Sequence, residues 1–278
     1  MLEALQLAFV QRALAASVLI GAVCAVVGVY VVLRGLAFIG AGISHASFGG
    51  VALGVALGLN PLATAIVFCV APAWGIGLPS RRGRVREDTA IGIFFAATMA
   101  LGVVLIGLRR GYSVDLFGYL FGSVLAITKA DLWMALGLGL GVLALVALLF
   151  KEFLFLTFDP EMAAVAGLPV RALHFLLLTL VAVTVVVSIK VVGIILASAL
   201  LVTPAATAYQ LTSDFRRMMA LSALAGIVSA IAGLALSYVL DTPSGATMVL
   251  VATALFFLAS WLSPRRRARR SLPGGAQG

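Results

Sequence analysis

Long apolar runs alternate with short polar breaks along nearly the whole chain. A membrane-crossing helix needs about 20 mostly apolar residues. Runs of that kind fall at roughly 13–33, 35–58, 61–79, 89–108, 132–150, 172–189, 191–210, 218–239 and 245–262. The seventh carries Pro204 and is expected to be short or broken. Segment 111–127 is apolar but interrupted by Asp115 and several glycines, which suits a re-entrant or interfacial piece. The pattern predicts an all-α integral membrane protein, a polytopic bundle of eight to ten transmembrane helices. Residues 1–263 form its single transmembrane domain, and 264–278 a basic, Pro/Gly-rich, disordered cytoplasmic tail.

Composition agrees. Of 278 residues, 63% are hydrophobic and 10% charged, where soluble domains have about 45–50% and 25%. No water-soluble domain is evident, and no GxxxxGK[ST] phosphate loop occurs, so any ATP hydrolysis would belong to another chain. The net charge of +9 comes from short clusters, which excludes a nucleic-acid surface and leaves topology and anionic lipid as its meaning. With the loop 80–88 (SRRGRVRED) inside, fourteen of the 19 cations lie inside, and the reverse orientation inverts that ratio. The N-terminus is therefore expected outside and the C-terminus in the cytoplasm. The first run is too long for a cleavable signal. Cys24 and Cys69 lie in apolar runs without a CxxC partner and read as small buried hydrophobes.

Chemistry is sparse. In the second run Gly42, Ala46, Gly50, Gly54 and Gly58 recur every fourth residue, a stripe that admits close helix packing. The same run carries Ser44 and His45, the latter an ionisable group inside a span, where such groups face a cavity or a partner. Imidazole is a common metal ligand, yet one His bonded to a neighbouring carbonyl explains the residue equally well. The loop Lys151–Arg171 is the longest polar cytoplasmic loop. In it Asp159 is an N-cap, Pro160 the first helical position, Glu161 an acid in the first turn, Gly167 the stop and Pro169 the following breaker. A small capped helix over 161–166, with a small face of Ala163, Ala164 and Gly167, suits docking of a cytoplasmic partner. Asp115 and Asp241, at the outer ends, read as capping carboxylates or guides for a cation. His174 reads as interfacial, and Lys190 as snorkelling to the membrane surface.

Together these pieces resemble the permease subunits of ABC-type zinc and manganese importers. The matching segments are FIGAGISHASFGGVALG (38–54), VDLFGYLFGS (114–123), DPEMAAVAGLP (159–169), KVVGIILASALLVTPAATA (190–208) and LDTPSGATMVL (240–250), in the family's order. The resemblance implies the fold of the cobalamin and siderophore importers and a bacterial plasma-membrane location. It implies a homodimer, two copies of a separate ATPase that carries the ATP, and an extracytoplasmic metal-binding protein. No cofactor would be held permanently; a divalent metal would be cargo. The 159–169 helix would couple to the ATPase, and His45, Ser44, Asp115 and Asp241 would line the path. One departure is visible. The family pattern G-D-x-x-S/A-H-A places an Asp one turn before the His, and here that residue is Ala41. With the hard oxygen ligand gone, zinc is expected ahead of manganese. The rival readings are a permease for a chelated metal or small organic ligand, and an ATP-independent carrier or channel.

Overall fold

In the computed structural model the described residues are 8–81, 87–108, 116–122, 124 and 127–263. Among them the chain forms α1 (Ala8–Leu33), α2 (Ala37–Leu57), α3 (Pro61–Arg81), α4 (Glu87–Leu108), α5 (Leu116–Phe121) and α6 (Lys129–Leu148). It continues with α7 (Phe150–Phe158), α8 (Pro160–Val165), α9 (Val170–Val192), α10 (Ile194–Leu211), α11 (Phe215–Leu240) and α12 (Ser244–Leu262). Eight of these (α1, α2, α4, α6, α9, α10, α11 and α12) are long and apolar enough to cross a membrane. α3 adds a shorter apolar stretch, Pro61–Gly77. Each apolar run read from the sequence is thus a helix. The loop 82–86, Asp115 and the tail 264–278 lie outside the described residues.

Three expectations are refined. α10 is the shortest of the eight spans, at 18 residues, as its sequence suggested, but it passes unbroken through Pro204; the break lies earlier, at Gly193. That residue has φ 91° and ψ 161°, a region essentially reserved for glycine, which lets α9 and α10 meet without a loop. The polar loop after α6 is partly helix, because Phe153 and Leu156, three apart, bury one face of α7. Lys190 does not simply snorkel: its Nζ lies 3.6 Å from the Asp131 carboxylate at the start of α6. Asp131 also closes a capping box with Thr128.

α1, α2 and α9 are the most buried spans, and α4, α6, α11 and α12 bury much less of their surface. α1 is the hub, packed against α6, α9, α10 and α11. It meets α11 where Gly21 faces Gly226, so closely that a Cβ on Gly21 would lie 2.6 Å from the Gly226 carbonyl oxygen. It meets α10 where Gly28 abuts the Leu201 carbonyl. The Ser222 hydroxyl of α11 donates to the Ala25 carbonyl of α1 at 2.7 Å. In lipid, where apolar area alone does not drive helices together, such backbone approaches hold a bundle.

Two substitutions test this packing. Gly28→Ala is expected to destabilise the protein by about 2 kcal/mol or more through overpacking. Gly137→Ala on α6, where an added Cβ meets nothing within 4 Å, is expected to be neutral or to stabilise by up to about 1 kcal/mol. Thermal unfolding in detergent micelles measures both.

Candidate translocation site

α2 has distinct sides. Gly40 faces Leu201 and Ser198 of α10, Gly42 faces Ile91 of α4, and Gly50 and Gly54 face Ala65 and Pro61 of α3. Ala46 is fully buried. Of the small-residue stripe, Gly58 plays another part: it caps α2 in the left-handed conformation (φ 68°), and a Cβ there would meet nothing within 4 Å. At 100° per residue, Phe38, Ala41 and His45 fall between the α10 side and the α4 side. Phe38 is exposed, and Ala41 and His45 are half-buried. α10 likewise leaves Ala199, Val202 and Ala206 half-buried. The imidazole therefore sits in a seam between α10 and α4, inside a span, and is not sealed by its own chain.

The local bonding of His45 is informative. Its Nδ1 lies 2.9 Å from the Ala41 carbonyl oxygen, one turn back. A carbonyl only accepts, so Nδ1 carries the proton, and the lone pair of the neutral ring is on Nε2. Fixing the tautomer by a bond from the far nitrogen is how ligating imidazoles are commonly oriented. The ring also stacks, tilted, on Phe95 of α4 at 4.6 Å between centroids. Ser44 points elsewhere: it is fully buried, and its hydroxyl has no hydrogen-bond partner among the described residues. No group of three His, Cys, Asp or Glu that could hold a metal occurs among the described residues.

At the opposite face of interest, α8 is built as its sequence suggests. The Asp159 side chain accepts from the Met162 N–H at 2.8 Å, and Pro160 takes the first position. Gly167 (φ 84°) closes the helix: its N–H reaches the Ala164 carbonyl, and the Leu168 N–H the Ala163 carbonyl, both at 3.0 Å. That pair of bonds is a Schellman motif. Ala163 turns inward and is fully buried, so it seats the helix and cannot itself touch a partner. Outward stand Glu161, Met162 and Val165, with Phe158, Asp159 and Pro169 also exposed. An apolar patch with an acidic rim thus projects from the end of the bundle.

The remaining candidates are dispersed. Asp115 lies outside the described residues. Asp241 ends α11 in the left-handed conformation (φ 51°) and caps it through its backbone, not through its carboxylate. His174, in the first turns of α9, is buried within the bundle, and Arg34 donates from Nη2 to its Nδ1 at 3.2 Å. Both cysteines are free and buried. Sequence reasoning missed Asp131 and Phe95; the Thr128-x-x-Asp131 capping spacing was a usable signal for the first, and nothing local marks the second.

The ABC 3 transport family model matches residues 6–263. The chain is 45% identical to the manganese transport system membrane protein MntC of Halalkalibacterium halodurans, over 95% of this chain and 90% of that one. It is 39% identical to the manganese import system permease protein ScaB of Streptococcus parasanguinis, over 95% and 94%. Among solved structures it resembles PsaBC from Streptococcus pneumoniae in complex with Fab, with a TM-score of 0.88 and 36% identity, over 97% of each chain.

The cap on α8 yields a direct expectation. Asp159→Ala removes the side-chain acceptor and is worth about 1 kcal/mol. Amide exchange over 160–166 should then quicken roughly fivefold, and Asp159→Asn should restore it.

Proposed function

The chain belongs to the ABC 3 transport family, and we propose that it is the membrane-spanning subunit of an ATP-driven importer for divalent manganese. The observation that carries the site is His45: a half-buried imidazole within a span, its tautomer set by the Ala41 carbonyl, its Nε2 lone pair available beside Phe95. Such a group is costly against lipid and belongs against a cavity or a second protein surface. Two copies of the chain would bring two such seams together and enclose a path between them. One imidazole per copy, without the helical-turn carboxylate, binds a cation weakly, and weak binding permits release. Affinity then resides in a separate extracytoplasmic binding protein. The outer patch of α8 docks a cytoplasmic ATPase, which puts that end of the bundle, and the C-terminus, inside the cell.

The relatives named for manganese support that cargo. Zinc is retained as the second reading on one observation: position 41 offers no carboxylate, and an imidazole alone suits borderline ions better than hard ones.

The test is uptake in proteoliposomes holding the chain, its ATPase and its binding protein, with manganese and zinc in competition. ATP-dependent accumulation of manganese is expected. His45→Ala should lower the uptake rate about tenfold or more while the ATPase still co-purifies. Preferred accumulation of zinc would transfer the assignment to the second reading, and accumulation without ATP would refute both.

A further inference from the structure

Displacement of α8 must cross the bundle to reach His45, and one contiguous set of contacts links the two. Phe215 is the first residue of α11, held there by the Asp214 cap on the Arg217 N–H. It is 9% exposed. Its ring centroid lies 5.4 Å from Phe150 and 6.1 Å from Phe158, the first and last residues of α7. It also lies 5.5 Å from Tyr30 of α1, and Tyr30 in turn meets Phe153 in the middle of α7 at 5.6 Å. The short helix is thereby gripped along its length between α1 and α11. Phe158 directly precedes the Asp159 that caps α8, so α7 and α8 meet at a fixed joint.

From there the contacts run on without a gap. α1 and α11 are fastened at Gly21, Gly226 and the Ser222 hydroxyl. Gly28 of α1 abuts Leu201 of α10, and the side chain of Leu201 packs on Gly40 of α2. The next residue, Ala41, is the one whose carbonyl orients His45. The other exit from α8, toward α9, passes through Gly167 (φ 84°), held by the backbone bonds of its Schellman motif and not by a cluster of rings.

Building on the function proposed above, we propose that Phe215 is a positioning residue for transport. It is the bearing through which motion of α8 and α7 turns the α1–α11 pair and, by way of Leu201, shifts α2 and the His45 seam. The route is a mechanical linkage between two packed arrangements, and coupling is the quantity that reveals it.

The experiment counts manganese ions accumulated per ATP hydrolysed by the complete complex in proteoliposomes. Phe215→Leu keeps an apolar side chain of somewhat smaller volume and removes the ring edges. It is expected to co-purify with the ATPase, unfold near the wild-type temperature and hydrolyse ATP at a near wild-type rate, with ions per ATP reduced about tenfold. Phe150→Leu, on the same ring, should act alike, and the double variant should be little worse than either, since both act at one joint. Phe175→Leu, on α9 beside Trp74, should leave the ratio intact. An unchanged ratio in Phe215→Leu overturns the inference, as does a parallel loss of ATPase, transport and thermal stability, which marks a merely structural ring. A lowered ratio in Phe175→Leu alone also overturns it, by placing the route through α9. A wild-type complex that accumulates no manganese sinks the functional reading and this inference with it; a transporting wild type beside an unaffected Phe215→Leu sinks this inference alone.

Discussion

Close backbone approach at α1 is what the other contacts lean on. Lipid is as apolar as a leucine side chain, so a membrane bundle gains little by merely burying leucine. It gains by dispersion where backbones come near and by hydrogen bonds such as Ser222 to Ala25. Gly21 and Gly28 sit two turns apart on α1, one against α11 and the other against α10. They set how far those helices stand from the hub. α10 in turn sets the position of α2 through Leu201 and Gly40. The place of the one mid-span imidazole therefore depends on two glycines on another helix.

That imidazole illustrates how a transport path differs from a metal centre. A structural zinc site closes four ligands around the ion. Among the described residues no cluster of even three candidate ligands exists. On the reading favoured here, a single oriented Nε2 per chain meets the cation in passing, and the chain's selectivity rests on its partners as much as on itself. Ala41 contributes a carbonyl where a carboxylate would add a hard ligand, and so its backbone, not its side chain, does the orienting.

Much of the bundle was legible because its signal is additive. Nine apolar runs of span length each became a helix, since backbone polar groups in lipid must be satisfied within the segment. α8 was legible for a different reason: Asp159, Pro160, Gly167 and Pro169 are local stop and start signals whose effect needs no tertiary context. What escaped the sequence depends on long-range packing. Gly193 breaks the chain because other backbones crowd it, Gly122 among them. α7 is helical because Tyr30 and Phe215 offer its aromatic face a seat. The Arg34–His174 contact joins residues 140 apart. His45 was visible as a residue, but its exposure in a seam and its tautomer were not, because both follow from where α4 and α10 stand.

In the function proposed above, the seam at Ala41 and His45 opens to water during ATP-driven transport. The most direct measurement is the reaction rate of an Ala41→Cys variant with a membrane-impermeant thiol reagent, in the assembled complex, with and without ATP and manganese. Cys24 and Cys69 are buried and supply no competing reaction. Labelling should change with the nucleotide and slow when manganese is present. Labelling that is absent in every state, or indifferent to both, would contradict that opening.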